Sequence, residues 1–309
     1  MDVGVIGVGM MGRNHVRVYS ELKRVDTLHV IDVNSSAAAQ VASANSANVC
    51  ATVDELLDRV DAVSICVPTQ FHQQVAMKVL SAGVHALIEK PLCGTAAEAE
   101  ELVRMIPDHL TVGVGHIERF NPIVDEIRRM IRKPIYIETK RHNPTSARVT
   151  GSSVVEDLMI HDIDVVFNLF SYENYVVHSA GTADVCGALF SINDTTVYMS
   201  ASRKSSKKVR LIYIEEEDCT IEGDYMNQEI AVYRKPEQYH IENDRYVQEN
   251  IIEKVLVSKQ EPLKRELATF LDCAVAKKPF PVTAAQALFD LQVSEQIMQG
   301  LTPSSGTSR

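Results

Sequence analysis

The sequence predicts an α/β protein with two domains: an N-terminal doubly wound parallel sheet, and a C-terminal α+β domain with a large, mostly antiparallel sheet. Residues 1–116 alternate short apolar strands with helices, a pattern typical of parallel strands joined by right-handed crossovers. After Pro122, long strand-like segments follow one another without intervening helices, which favours an antiparallel sheet. We expect domains at 1–119 and 120–301, and a flexible tail at 302–309.

The first domain is predicted to alternate its strands and helices with short joins. Strands are expected at 2–6, 27–32, 48–51, 61–67, 84–89 and 110–116, and helices near 10–24, 35–45, 53–58, 70–82 and 95–106. The near-continuous apolar run Val63–Val67 is typical of a buried parallel strand. Pro68 ends this strand, and Thr69 can cap the helix that follows.

A glycine-rich loop joins the first strand to the first helix. Gly7, Gly9 and Gly12 have the Gly-x-Gly-x-x-Gly spacing, with Met10 and Met11 between the last two. The first glycine permits a tight turn, the second lets a pyrophosphate approach the backbone, and the third lets the helix pack closely. The helix N-terminus favours an anion. The context of strand, glycines and helix therefore predicts a Rossmann dinucleotide site; the alternative is a turn that merely reverses the chain.

The second strand ends in Asp32, about 20 residues beyond the glycines, where an acidic side chain holds a ribose 2′-hydroxyl. A carboxylate repels a 2′-phosphate, and Val33–Ser35 contains no arginine that would neutralise one. The sequence therefore favours NAD over NADP.

The second domain is predicted to begin with a helix near 122–132, a strand at 135–142, a polar loop and a helix near 154–170. Strands are then expected at 175–184, 185–193, 195–203, 207–214, 218–223 and 228–234. Residues 235–258 are predicted as a charged connection without assigned structure. Two amphipathic helices close the chain near 261–277 and 283–300, the second capped by Thr283.

The composition indicates a soluble, cytoplasmic protein. A chain of 309 residues that is 45% hydrophobic can build two sizeable cores. A formal net charge of −10 argues against a nucleic-acid partner. The six cysteines form no Cys-x-x-Cys pair, which suits a reducing compartment and argues against zinc or disulfides. No apolar run approaches a membrane span, and the early core strand predicts that there is no signal peptide.

Four motifs, in this order, resemble the Gfo/Idh/MocA family of NAD(P)-dependent sugar and polyol dehydrogenases, and the resemblance covers nearly the whole chain. The motifs are Gly7-x-Gly9-x-x-Gly12, Val67-Pro68-x-x-x-His72, Glu89-Lys90-Pro91 and Asp157-Leu-Met-Ile-His161. Within the family, His116-Ile-Glu-Arg-Phe-Asn-Pro122 resembles members that oxidise UDP-N-acetylhexosamines, such as UDP-N-acetylglucosamine, at the 3-hydroxyl.

Lys90, Asp157 and His161 are the candidate catalytic residues. Ligands of doubly wound sheets lie beyond the carboxyl ends of the strands, where Lys90 is placed; a surface lysine paired with Glu89 is the alternative. Asp157 and His161 lie four residues apart and therefore share one helix face. The alternative is that the two side chains form a simple salt bridge along the helix. The resemblance marks Lys-Pro as a catalytic signature, often with a cis bond. We expect His161 to be the general base, Lys90 to hydrogen-bond the reacting oxygen, and Asp157 to orient the imidazole or bind the substrate. The alternative is that Lys90 is the base.

Further candidates concern the cofactor and the substrate. The resemblance places Pro68, Thr69 and His72 on the nicotinamide side and Glu89 near the nicotinamide ribose; for His72, a capping or surface role is the alternative. Arg119, Asn121 and Arg141 are expected to bind the substrate, because arginine suits a diphosphate.

The remaining polar candidates have weaker support. His142 and Arg148 flank the loop after Arg141, and His15 and His116 are interpreted as structural or cofactor-side residues. A metal pair of His161 and Asp164 lacks an evident third ligand, so no metal is expected.

Two classes of function stay open. One is a dehydrogenase of a nucleotide sugar, or of a free sugar or polyol such as inositol; the other is a non-catalytic nucleotide-binding regulator. Lys90, Asp157 and His161 together favour the enzyme, because a regulator needs only the glycine loop and Asp32. The strand Thr196–Ser200 carries apolar side chains on both faces, which predicts a homodimer or homotetramer that covers the outer face of the second sheet.

Overall fold

The structure, a computed structural model, describes residues 1–144, 151–170, 174–235, 239–242, 245–248 and 251–302. The α-helices are α1 (Met10–Glu21), α2 (Ser35–Asn45), α3 (Val53–Leu57), α4 (His72–Ser81), α5 (Ala96–Met105), α6 (Pro122–Met130), α7 (Ile160–Phe170), α8 (Pro262–Ala276) and α9 (Ala284–Gln299).

The strands of the first half are β1 (Val3–Ile6), β2 (Leu28–Ile31), β3 (Asn48–Val49), β4 (Ala62–Ile65), β5 (His85–Glu89) and β6 (Val112–Gly115). Those of the second half are β7 (Tyr136–His142), β8 (Val176–Thr182), β9 (Val185–Ile192), β10 (Thr195–Ser202), β11 (Val209–Glu215), β12 (Cys219–Asp224), β13 (Glu229–Arg234), β14 (Tyr239–Glu242), β15 (Arg245–Gln248) and β16 (Ile251–Val255).

The chain divides into two compact units. The first comprises Met1–Phe120 and Glu261–Gln292; the second comprises Asn121–Gln260 and the chain from Val293 on. The sequence analysis placed the domain boundary between 119 and 120, and the division between the compact units lies between Phe120 and Asn121. The sequence analysis, however, placed everything from 120 to 301 in the second domain, whereas Glu261–Gln292 packs within the first unit.

The first unit is built on a six-stranded parallel sheet, counted over the described residues, with the order β3-β2-β1-β4-β5-β6. The strand order reverses between β1 and β4, where Ile6 lies level with Ile31 and Ile65. In such sheets the connections leave the carboxyl ends of the two central strands in opposite directions and open a crevice for a ligand. The predicted doubly wound Rossmann sheet is confirmed.

An aromatic cluster attaches the segment around α8 to the first unit. Phe280 stacks on Phe120 at 5.4 Å and meets Phe270 of α8 edge-on at 6.1 Å. Gly113 of β6 leaves the room for this ring, since a Cβ there would lie 2.7 Å from Cγ of Phe280. Val114 N donates to Val282 O at 3.1 Å. Burial of an aromatic side chain of this kind stabilises by about 1.5–3 kcal/mol.

The second unit is built on an eight-stranded sheet in the described part of the chain, with the order β16-β13-β12-β11-β7-β10-β9-β8. Its neighbours are antiparallel except for the parallel pair β7 and β10, so the predicted mostly antiparallel sheet is confirmed. One face is buried and includes Phe190, Val197 and Met199. The other, which we call the open face, carries Val185, Leu189, Tyr198, Leu211 and Tyr213; Leu189 and Leu211 are exposed.

Some local predictions of the sequence analysis are confirmed by the structure, and others are not. Thr283 caps α9 as predicted, because its Oγ1 accepts from Gln286 N at 3.2 Å and Gln286 Oε1 accepts from Thr283 N at 3.1 Å. The sequence did not predict β14, β15 and β16 within 235–258. All six cysteines are free. Of the predicted tail, only Thr302 lies within the described residues, and its N donates to Gly181 O at 3.1 Å.

In the described part of the chain, no helix has both the length and the apolar character that a membrane crossing requires.

Candidate active site

The glycine loop contains two glycines that the protein itself requires and one that faces open space. Gly7 has φ +91°, and a Cβ there would lie 2.8 Å from Cys66 O. A Cβ on Gly12 would overlap the carbonyl oxygen of Gly7. Around an ideal Cβ on Gly9, by contrast, no atom of the described residues other than Gly9 and its two chain neighbours lies within 4 Å, and no side chain of that part of the chain caps α1. This arrangement fits a pyrophosphate held by backbone N–H groups at the start of α1.

Asp32 is fixed directly beside this loop. Its Oδ2 accepts from Val8 N at 2.7 Å, and its Oδ1 accepts from Asn34 N at 2.8 Å. The Asn34 side chain in turn caps α2 by accepting from Ala37 N at 3.0 Å. Two backbone donors therefore hold the carboxylate at the end of β2, where a Rossmann site binds the adenosine ribose.

The loop after β4 is joined to the loop after β5 by His72. Its buried ring has Nδ1 2.9 Å from Pro91 O and Nε2 2.9 Å from Val67 O. Both ring nitrogens are thus engaged by carbonyl oxygens of the protein, so His72 holds the two loops together. Thr69 lies in a 3₁₀ turn, and within the described residues no side chain caps α4. The predicted capping role of Thr69 is wrong.

The Glu89-Lys90-Pro91 segment follows β5, and the Lys90–Pro91 bond is cis, as the resemblance implied. Glu89 is 7% exposed. Its Oε1 lies 2.8 Å from His15 Nε2, and its Oε2 accepts from Lys90 N at 3.3 Å. Burial alone would raise the pKa of Glu89, but the hydrogen bond from His15 and the charges of His15 and Lys90 together lower it below its ordinary value. Glu89 is therefore ionised at neutral pH.

A buried polar cluster surrounds this carboxylate. Gly115 lies opposite Glu89 in the sheet, and a Cβ there would lie 3.1 Å from Cδ of Glu89. Tyr19 meets the His15 ring edge-on at 6.3 Å, and its hydroxyl lies 2.8 Å from Ser64 Oγ. Burial, with the negative charge of Glu89, raises the pKa of the Cys66 thiol well above its ordinary value, so Cys66 stays protonated. The sequence analysis left His15 without a defined partner, because Glu89 is 74 residues away.

The residues after β6 occupy a 3₁₀ turn, Ile117–Phe120, which contains Arg119. Arg119 is half-buried, and its N donates to His116 O at 3.0 Å. The buried His116 has its Nε2 3.8 Å from Asp290 Oδ2. Arg119 therefore keeps partial access to solvent, whereas His116 is part of the interior.

In the second unit, Asp157 lies in a π-helical turn, Val155–Met159, and His161 lies in the first turn of α7. The single helix predicted near 154–170 is thus divided. Ser153 begins the segment: its N and Oγ both donate to Glu156 Oε2, at 2.8 and 3.0 Å. Both Asp157 and His161 are half-buried. Single π-helical turns are rare and frequently lie at functional sites, which supports the prediction that these residues are functional.

Arg141 does not have the accessible position expected of a substrate-binding arginine. It is 1% exposed, with Nε donating to Asp162 Oδ2 at 3.0 Å and Nη2 to Asp162 Oδ1 at 2.8 Å. Its guanidinium also lies 5.2 Å from the Tyr225 ring centroid. This buried pair joins β7 to α7 immediately beside His161 and gives Arg141 a structural role, and the contact of Arg141 with the substrate stays a prediction.

Asn121 also has partners within the protein. It is buried, its Oδ1 accepts from Ile123 N at 3.4 Å, and its Nδ2 donates to Tyr225 O at 3.0 Å. The side chain therefore caps α6, and its contact with the substrate stays a prediction. Nearby, His142 Nε2 lies 3.3 Å from Ser200 Oγ, while Arg148 lies outside the described residues.

Three comparisons with known proteins point to the same family. Residues 1–116 match the Gfo/Idh/MocA model, described as an oxidoreductase family with an NAD-binding Rossmann fold. The chain is 33% identical over 288 residues to UDP-N-acetylglucosamine 3-dehydrogenase of Acidithiobacillus ferrooxidans, covering 90% of each chain. It is 29% identical over 178 residues to an inositol 2-dehydrogenase of Corynebacterium glutamicum, covering 54% of this chain and 53% of that one.

A solved structure extends the similarity to the whole fold. The UDP-N-acetylglucosamine 3-dehydrogenase GnnA from Acidithiobacillus ferrooxidans matches with a TM-score of 0.86 at 30% identity, covering 97% of both chains. With the strand order, the glycine loop and the Glu-Lys-Pro turn described above, these similarities show that the chain belongs to the Gfo/Idh/MocA family and is an oxidoreductase that uses a nicotinamide cofactor and acts on CH–OH donors.

Proposed function

We propose that this chain is an NAD-dependent dehydrogenase that oxidises the 3-hydroxyl of a UDP-N-acetylhexosamine, such as UDP-N-acetylglucosamine. The observation that carries the proposal is the 33% identity to a UDP-N-acetylglucosamine 3-dehydrogenase over 90% of each chain, which includes both units. The segment His116–Pro122 supports the same substrate class. Membership of an oxidoreductase family favours an enzyme over a non-catalytic regulator.

The proposed chemistry assigns each step to a residue of this chain. The glycine loop and Asp32 would hold NAD, which would supply a hydride acceptor for the carbon that carries the hydroxyl. His161 takes the hydroxyl proton at a ring nitrogen, the Lys90 ammonium hydrogen-bonds the reacting oxygen, and Asp157 positions the imidazole or the sugar. The ionised Glu89 favours the charged form of Lys90. The alternative assignment makes Lys90 the base, and both assignments require Lys90 and His161.

The roles of Lys90 and His161 are tested by alanine substitution. Removal of a positioned acid or base costs about 10²–10⁴ in rate, so Lys90→Ala and His161→Ala should lose turnover by that factor. Neither residue lies in the glycine loop, so NAD binding, measured by calorimetry, should persist. Matched controls are Lys78→Ala, at a surface lysine 2.8 Å from Asp54, and His109→Ala, at an exposed histidine. Near-wild-type turnover in either test variant would remove that residue from the mechanism.

The substrate is tested by absorbance of NADH at 340 nm. UDP-N-acetylglucosamine, UDP-N-acetylgalactosamine, glucose and myo-inositol are each offered with NAD. We expect turnover with a UDP-N-acetylhexosamine. The partial similarity to an inositol 2-dehydrogenase makes a free polyol the second candidate. Turnover of free polyols alone would contradict the proposed substrate and leave the proposed chemistry intact.

The preference for NAD over NADP is tested at Asp32 and Val33. Val33 is fully exposed, so an arginine there leaves the core undisturbed. Asp32→Ala combined with Val33→Arg should shift the preference towards NADP, because the repelling carboxylate is replaced by a cation. Val33→Arg alone is the control and should still prefer NAD. Tighter binding of NADP than of NAD by the wild-type protein would contradict the argument from Asp32.

A further inference from the structure

We propose that His15 is a positioning residue of the reaction, which acts on Lys90 through the carboxylate of Glu89. The inference concerns residues of the first unit alone. It rests on the proposed role of Lys90 in turnover. It adds a residue of the glycine-loop helix to the machinery of hydride and proton transfer.

A continuous line of contacts joins the three residues. His15 lies on α1, one turn beyond Gly12, and is 0% exposed. Its Nε2 is 2.8 Å from Glu89 Oε1, and the second oxygen of that carboxylate accepts from Lys90 N at 3.3 Å. An ionised carboxylate only accepts hydrogen bonds, so Nε2 carries the proton. Each oxygen of Glu89 therefore has its own donor, one from α1 and one from the segment that carries Lys90.

Burial of the His15 imidazole costs free energy that an apolar side chain in the same space would not cost. A polar group removed from water is destabilising unless it is hydrogen-bonded, and His15 Nδ1 has no hydrogen-bond partner within the described residues. Its neighbours Val16 and Val18 show that apolar side chains are accommodated on the same buried part of α1. The imidazole therefore needs a reason beyond packing, and its hydrogen bond to Glu89 supplies that reason.

Glu89 needs that donor to keep a single orientation. Gly115, opposite in the sheet, leaves a gap where a side chain would stand, and the carboxylate lies in it. Without the bond to Nε2, the side chain is free to leave this gap for another rotamer. The negative charge would then move away from Lys90, and the Lys90 backbone N would lose its acceptor. Displacement of a catalytic group by about 1 Å can cost about 10²-fold in rate.

Two amide substitutions separate the hydrogen bond from the volume of the ring. The amide nitrogen of glutamine reaches about as far as Nε2 of histidine, whereas that of asparagine reaches only as far as Nδ1. His15→Asn should lower kcat by about 10–100-fold, with the Kd of NAD and the KM of UDP-N-acetylglucosamine changed by less than about threefold. His15→Gln should restore kcat to within about fivefold of wild type. Equal kcat values for the two variants would overturn the proposal.

A second measurement follows Lys90 without any sugar substrate. Competitive acetylation with acetic anhydride over a pH series, read by mass spectrometry of the peptide that contains Lys90, gives the midpoint at which its amine becomes reactive. A nearby carboxylate favours the ammonium form, so Glu89→Gln should move this midpoint to lower pH. His15→Asn should move it in the same direction, and His15→Gln should not. An unchanged midpoint in His15→Asn would overturn the proposal.

A double-mutant cycle and a control complete the test. In a Glu89→Gln background, His15→Asn should cause little further loss of kcat, because the carboxylate through which His15 acts is gone; additive losses would overturn the proposal. His29→Asn is the control for a buried imidazole in the same unit; His29 bonds Thr27 Oγ1 at 3.3 Å and should affect melting temperature but not kcat. If Lys90→Ala itself retains turnover, the role of Lys90 on which this inference rests fails, whatever the His15 variants show, whereas the proposed substrate and cofactor stand.

Discussion

Alanine at Gly12 should destabilise the protein, whereas alanine at Gly9, three residues earlier, should leave its stability nearly unchanged. A methyl group on Gly12 would overlap the carbonyl oxygen of Gly7 and lie 2.9 Å from its carbonyl carbon. Both atoms are backbone, so α1 must shift, and such overpacking costs about 1–3 kcal/mol. On Gly9 the methyl meets no atom of the described residues within 4 Å, and φ of −62° suits alanine.

The free-energy terms at Gly9 nearly cancel. Alanine reduces the entropy of the unfolded chain, a gain of about 0.4–1 kcal/mol, and is a poorer N-cap than glycine by a similar amount. One kcal/mol corresponds to about 2–4 °C in melting temperature for a unit of this size. Gly12→Ala should therefore melt about 2–12 °C below wild type, and Gly9→Ala within about 2 °C of it.

Gly9→Ala should, however, weaken the binding of NAD. The open space beside Gly9 is where a pyrophosphate would approach the backbone, so the methyl group now overpacks the complex. The same cost of about 1–3 kcal/mol weakens NAD binding by about 5–150-fold. Calorimetric titration with NAD and thermal melts with and without NAD measure both effects. Wild-type affinity for NAD in Gly9→Ala, or an unchanged melting temperature in Gly12→Ala, would refute the steric argument.

Three further predictions concern the rest of the chain. Arg141→Ala leaves Asp162 buried without its bidentate partner and should cost about 3–5 kcal/mol in urea unfolding, while Arg141→Met with Asp162→Leu should recover most of it; a single variant as stable as wild type would contradict the buried pair. The pKa of Glu89 is lower in the folded protein than in the unfolded chain, so its contribution to stability is present above about pH 4.3 and is lost as the pH falls through the folded value. The difference in melting temperature between wild type and Glu89→Gln should therefore shrink below about pH 4; a difference that does not change with pH argues against an ionised Glu89. Finally, the open face should mediate a homodimer or homotetramer, so Leu189→Glu should dissociate it, and a wild-type monomer in sedimentation velocity at micromolar concentration would exclude that assembly.

The sequence by itself determined the features that depend on neighbouring residues. The alternation of apolar runs and turns predicted the parallel sheet, since strand and helix periods are properties of consecutive side chains. The glycine loop and Asp32 were recognised because their spacing along the chain is the signal. In the first domain the predicted strands and helices differ from the observed ones mainly at their ends, where the apolar pattern fades before the hydrogen bonding does.

Only the tertiary structure decided which polar residues have partners in the interior of the protein. Arg141 and Asn121 are polar residues beside candidate loops. No local sequence pattern shows that Arg141 pairs with Asp162 in the interior, or that Asn121 bonds the backbone of Tyr225. The place of α8 was equally hidden, since an amphipathic helix records that one face is apolar but not which sheet covers it. His15 acquires its partner from β5, 74 residues away. Hydrogen bonds and ion pairs become strong only when the fold excludes water from both partners, and that is settled by packing rather than by spacing along the chain.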